Sequence, residues 1–292
     1  MLTWTLWRSL LKPAADHPIF QATLRRFERS DSSASWSIIS LIAFLGVGLV
    51  VFMLTSVLGL TSIGANSLNY FVFIIALPFV FFLLRPTLTG LLLALRVNEM
   101  LLETRQQGRY DLLCLLPVGE LSTNWLMCAG YIHNEIRLEP LRDSNLSGWL
   151  RRWLVVGGLA LLLQAQRFFA NSSFDALPLI ASFVITVGLF LRVDNIQSLI
   201  IASLIAMLAP TFARSRFDAR LGAFGVFMGL QLLSFGVITG VGLTALSISS
   251  RYHFDPLTLA YGLPLLLLIT FAALREGFIA LLWRSAKRRL HE

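Results

Sequence analysis

The chain is punctuated by apolar stretches long enough to cross or re-enter a bilayer, and the polar segments between them hold nearly all of its charge. Trp36 to Leu60 is the clearest, about 25 residues without an ionisable side chain, where roughly 20 suffice to cross ~30 Å of hydrocarbon as a helix. Lipid offers the backbone no hydrogen-bond partner, so such a segment is driven to be helical. Further stretches run from Leu68 to Leu84, with a milder continuation to Leu95 after an interruption at Arg85-Pro86, and over Trp149 to Phe168, Ala176 to Leu191, Ile196 to Phe212, Leu221 to Ser249 and Leu257 to Leu274. The expected fold is all-α, a polytopic membrane helical bundle.

With 56% hydrophobic and 14% charged residues, the chain is far from a soluble domain, which carries about 25% charged residues. At 292 residues it has no room for a large soluble domain beside its spans. The net charge of +8 points to lipid phosphates and insertion topology; no nucleic acid partner is expected, because the basic residues form no shared stripe. Cys114 and Cys128 lie in the long polar stretch without CxxC or Cys/His metal spacing and are expected to be reduced. The N-terminus lacks the order of charge, apolar run and cleavage site of a removable signal, so the first span is expected to remain as an anchor.

Residues 1–35 interleave Arg8, Lys12, Arg25, Arg26 and Arg29 with Trp4, Trp7 and two helically spaced apolar sets, Leu6, Leu10 and Leu11, then Phe20, Leu24 and Phe27. Pro13 and Pro18 divide the segment into two short amphipathic helices suited to the lipid interface. Spans one and two occupy 36–95, a cytoplasmic loop 96–148, the remaining spans 149–274 and a basic tail 275–292. The arginine-rich loop, Ala213 to Arg220 and the tail all argue for the cytoplasmic side, which places both termini inside the cell and requires an even number of crossings. The expected protein is a multi-pass component of the cell (inner) membrane with six spans plus one re-entrant or interfacial segment, the odd one lying between 149 and 212.

Polar residues in apolar surroundings need a reason, since a charge at the bilayer centre costs about 2.5–3.5 kcal/mol. Arg192 and Asp194 are close enough in sequence to help neutralise each other; they read either as a gate or interface contact in the outer leaflet or as the end of two apolar segments. Gln164, Gln166, Gln197 and Gln231 suit interhelical hydrogen bonds or a polar path. The spacings Gly225-x-x-x-Gly229 and Gly236-x-x-x-Gly240 suit close helix approach, between copies or within the chain. His17, His133, His253 and His291 form no cluster, and no phosphate-binding G-x-x-x-x-G-K occurs, so neither a metal, a cofactor nor a catalytic site is expected and the chain is not read as an enzyme.

The segment from Leu101 to Gly119 has a different character. Gly108 can end one helix and Asp111 can cap the next, giving an elbow; Leu112, Leu113, Leu115 and Leu116 then form an apolar ridge suited to a soluble partner or to the lipid surface. Here the chain resembles the permease subunits of ABC transporters of the type-2 exporter class, whose segment after the second span reads approximately Glu-Arg-Glu-x-Gly-Thr-x-Asp/Glu-Leu-Leu-x-x-x-Pro. The matching positions are Arg105, Gly108, Asp111, Leu112, Leu113 and Pro117. Thr104 and Gln106 replace the two Glu, and Arg109 replaces Thr. Weaker likeness extends to His17-Pro-Ile-Phe with Arg25-Arg26, to Asp194-Asn-Ile-Gln197, and to Arg275-Glu276 with its basic tail.

The resemblance implies an interfacial N-terminal helix, six spans, and a coupling helix within 103–118 in which Arg105, Gly108, Arg109, Asp111, Leu112, Leu113 and Pro117 meet a separate ATP-binding cassette subunit. It also implies a second permease copy or a paralogue as partner, besides membrane lipid. The competing expectation, from a different class, is a non-transporting membrane scaffold subunit of a larger assembly. The few, mostly neutral polar residues of the spans specify no substrate.

Overall fold

The computed structural model describes residues 1–11, 17–29, 67–108, 110, 119–142, 176–213, 215–252 and 256–290. Among these the regular elements are helices: α1 (Leu2–Leu11), α2 (Pro18–Arg29), α3 (Ser67–Gln106), α4 (Gly119–Arg142), α5 (Ala176–Phe212), α6 (Arg216–Tyr252) and α7 (Pro256–Leu290). The chain divides into two compact units, one of Met1–Phe27, Pro86–Glu135 and Leu177–Glu292, the other of Glu28–Arg85 and Ile136–Ala176. In the second, the described residues are helical. Every contact below lies in the first.

Among the described residues three segments are long and apolar enough to cross a membrane, Gly188–Phe212, Arg216–Ala245 and Gly262–Leu290. Large apolar side chains on them face outward, among them Phe217, Leu221, Leu232, Leu243, Ile269 and Leu281. Soluble monomers rarely expose such patches, whereas lipid covers them without cost. The chain is a helical membrane protein.

Two interruptions expected from the sequence are not there. Arg85-Pro86 lies inside the continuous α3, because a proline removes one helical hydrogen bond without ending a long membrane helix. Likewise Arg192-Val-Asp194-Asn195 does not separate two apolar segments: α5 runs through it for 37 residues. Its physical reason is the partner that Asp194 finds on α7, described below.

Contacts fix the directions of the helices. Phe190 packs on Phe271 at 4.5 Å between centroids, and Arg289 lies over Phe212 at 5.0 Å, so α5 and α7 run parallel. Gly242 meets Leu267, and Phe235 meets Phe271 at 6.0 Å, so α6 is antiparallel to α7. The turn between α5 and α6 is short, and Ser215 caps α6 by accepting the Asp218 N–H at 3.1 Å. α3 is parallel to α5 and antiparallel to α6, with Gly90 against Ser198 O and Phe227 at one level and Gln106 bonded to Arg216 at another. The C-terminal ends of α3, α5 and α7 and the start of α6 therefore share one end, rich in arginine.

The span of α5 is 67% buried, against 22% and 17% for α6 and α7, which makes α5 the central helix. Residues Ile200 to Leu208 are buried on every face, the pattern of a helix surrounded by others. The region expected as a cytoplasmic loop supplies α4, whose Met127, Cys128, Ala129, Tyr131 and Ile132 are core residues. α2 approaches α4 at Gly130, where a Cβ would lie 2.9 Å from Thr23 Cγ2. α1 is tied to α7 by the Thr3 N–H on Glu276 at 3.2 Å and to α4 by Trp125 Nε1 on Ser9 Oγ at 3.0 Å. Of the apolar set expected from spacing, Leu6 and Leu10 are buried against protein while Leu11 is exposed. By contrast, the glycine spacings of α6 have no neighbour within 4 Å in this chain.

Gly90 is the tightest approach, because a Cβ there would lie 2.7 Å from the Phe227 ring. Gly90→Val is expected to lower the thermal midpoint of the detergent-solubilised protein by an amount equivalent to about 1–3 kcal/mol, while Gly229→Val in open space leaves it unchanged.

Candidate functional site

The elbow forms where α3 stops. The N–H of Gly108 bonds Arg105 O at 3.1 Å, and Gly108 takes φ 66°, a left-handed conformation that side-chain-bearing residues avoid. Gly108 is exposed, with nothing within 4 Å of a built Cβ. Gly119, at φ 75°, opens α4 on the other side of the elbow. Gly108 thus ends the helix as its place in the sequence predicts. Arg109, Asp111, Leu112, Leu113 and Pro117 lie outside the described residues.

Arg105 is turned inward. Its Nη2 donates to Glu120 Oε1 at 2.9 Å and to Tyr110 Oη at 3.2 Å, its guanidinium stacks 4.5 Å from the Tyr110 ring centroid, and Nη1 reaches Pro210 O at 3.5 Å. Tyr110 Oη in turn donates to Glu120 Oε1 at 2.5 Å and accepts from Asn124 Nδ2 at 2.9 Å. Burial first, and the hydrogen bond to Glu120 second, push the Tyr110 phenol well above its ordinary value, so it stays a neutral donor. One arginine therefore braces the end of α3, the elbow, the start of α4 and the C-terminal carbonyls of α5, where a cation also complements the helix dipole. The sequence pointed to Arg105 as a residue for a partner; its side chain is engaged within the chain. Glu120, Tyr110 and Asn124 were not singled out, although Glu120 in the first turn of α4 is a charge favoured at a helix start.

Further ties hold the same end. Arg216 Nε donates to Gln106 Oε1 at 2.7 Å, and Arg220 pairs with Glu99 while both remain about half exposed.

The second polar site is buried. The sequence paired Asp194 with Arg192 near an interface; instead Arg192 is exposed and Asp194 pairs with Arg275 of α7. Arg275 Nη1 lies 2.5 Å from Asp194 Oδ1, and both side chains are 0% exposed. Nη1 also donates to Ser198 Oγ at 2.7 Å, and Nη2 donates to Gln231 Oε1 of α6. Ser198 Oγ accepts from Gln231 Nε2 at 3.0 Å and donates to Asp194 Oδ1 at 3.1 Å. The guanidinium rests 4.3 Å from the Phe271 centroid, a cation–π contact. Gln197 donates to Ala272 O at 3.2 Å, so Gln197 and Gln231 do bond between helices. Arg275 was read as the first residue of a basic tail; it lies inside α7, which continues to Leu290. The return of apolar sequence after it, Phe278 to Trp283, was the available signal.

Among the described residues no group of three His, Cys, Asp or Glu side chains is placed to hold a metal ion. No family model, curated protein or solved structure matches the chain.

Tyr110→Phe leaves the buried Asn124 amide and Glu120 without their shared partner. It is expected to destabilise the elbow by about 1–3 kcal/mol, read as faster limited proteolysis between 106 and 119. Burial pushes the Cys128 thiol up to about 12. In a Cys114→Ser variant at pH 8, Cys128 is expected to resist maleimide in the folded protein and to react after denaturation in detergent, because the thiolate is the reactive form.

Proposed function

We propose that this chain is the membrane-spanning permease subunit of an ATP-driven exporter of the ABC type-2 class, coupled to a separate ATP-binding subunit through the elbow around Gly108. The observation that carries this reading is the exposed left-handed turn at Gly108, presented at the arginine-rich end and braced from behind by Arg105, Tyr110 and Glu120. A coupling element has to be accessible to its partner and stiffly joined to long helices. Here α3 enters the elbow after 40 residues, and the brace joins it to α4 and α5.

The continuous α5 also supports an even crossing count. With one helix in place of the two apolar segments 176–191 and 196–212, the crossings of this reading are α3, α5, α6 and α7 together with 36–60 and 149–168, which are taken from the sequence alone. Six crossings put both termini on the same side as the elbow, and the gathering of Arg105, Arg216, Arg220 and Arg289 at one end favours that side as cytoplasmic. In this reading a second permease copy or a paralogue completes the transporter, and nucleotide-driven closure of the ATPase pair moves the elbow. Arg105 acts as the internal brace, leaving Gly108, Arg109, Asp111, Leu112, Leu113 and Pro117 to meet the partner.

Copurification from native membranes is expected to recover an ATP-binding protein whose hydrolysis responds to this subunit. Gly108→Val and Leu112→Glu are expected to reduce its recovery about tenfold with little change in abundance of the chain, the scale of a ~1.4 kcal/mol loss at the interface. Recovery of other membrane subunits without any ATP-binding protein sinks the transporter reading in favour of a scaffold.

A further inference from the structure

Arg275 lies 14 residues before Arg289, roughly 21 Å along α7 from the arginine-rich end at 1.5 Å per residue; apolar sequence precedes it and resumes at Phe278, after Glu276, which is bonded to Thr3 of α1. Neither it nor Asp194 is exposed. Each alone would be costly to hold in lipid; together they are neutral and share the hydroxyl of Ser198.

The seam they occupy is narrow. Only 22% and 17% of the α6 and α7 spans are buried, so α5 covers each of them along one face. The aromatic contacts of the seam, Phe190 and Phe235 on Phe271, are contacts that lipid tails replace with little loss. The polar contacts have no such substitute. They also define register, because Arg275 donates to Asp194 and Ser198 on α5 and to Gln231 on α6 at one level. A shift of one turn, about 5.4 Å, would put Phe190 in the place of Asp194 or Ala202 in the place of Ser198 on α5, so the guanidinium would lose one of its two partners on that helix.

We propose that Asp194 and Arg275 form an intramembrane latch that locks α7, with α6 beside it, onto α5 in a single register, Ser198 and Gln231 holding the guanidinium in place. The latch is independent of the transporter reading and holds for a scaffold equally.

Cysteines in place of Phe212 and Arg289, whose side chains are in contact and exposed at the arginine-rich end, report the α5–α7 register through the yield of a short bis-maleimide cross-link in a Cys114→Ser background. Asp194→Asn and Arg275→Gln are each expected to lower the membrane abundance of the full chain and this yield by about tenfold, since one buried polar partner is left alone. The apolar pair Asp194→Leu with Arg275→Met is expected to regain abundance, because no unpaired charge remains, while the cross-link yield per molecule stays low. An unchanged yield in both single variants overturns the latch. So does a full yield in the apolar pair, which would assign register to packing alone, and so does an apolar pair as scarce as the single variants, which would show that the two charges do not act on each other.

Discussion

The ion pair of Asp194 and Arg275 is the contact on which the arrangement of the long helices turns. In lipid the apolar surfaces of helices gain little by leaving the solvent for each other, so shape and hydrogen bonding decide which faces meet. α5, α6 and α7 each bring part of one polar cluster, and its members bond one another in the seam where the three converge. The same pairing explains why α5 continues through a polar tetrad that looks like a break: the carboxylate is answered by a neighbouring helix and has no need to reach water.

How much of this was legible in the sequence follows from what each residue's role depends on. Helical character, the division of the N-terminal segment at Pro18, the buried face of Leu6 and Leu10, and the stop at Gly108 are local properties of spacing and backbone freedom. The partner of Asp194 is 81 positions away, and no local rule distinguishes it from Arg192 two positions away. The glycines show the same limit. Four on α6 form sequence spacings suited to helix contact and stay open among the described residues, while isolated Gly90 and Gly130 are where helices actually touch.

The polar stretch after α3 contains α4, whose polar residues are concentrated where they bond: Asn124 to Tyr110, Glu120 to Arg105, Trp125 to Ser9. Between them Met127, Cys128 and Ile132 fill the core, and Cys128 Sγ faces Ser203 O of α5 at 3.8 Å. A helix of low mean hydropathy can thus be central to a membrane protein when its polar groups are used by the helices around it.

The ties among α3, α5, α6 and α7 grade from strong to weak toward the arginine-rich end. At the level of Gly90 and Ser198 the packing is close and the charges are sealed from water. A partner stripped from such a buried pair costs about 3–5 kcal/mol. At the level of Glu99 and Gln106 the contacts to Arg220 and Arg216 are exposed, and exposed ion pairs contribute only about 0–1 kcal/mol. A force applied at Gly108 therefore meets its least resistance in those outer contacts, while the brace of Arg105 on Tyr110 and Glu120 keeps the elbow itself from folding under the load. Displacement entering at the elbow would be carried by α3, α4 and the end of α5 together, with the sealed cluster as the fixed point about which their ends can move.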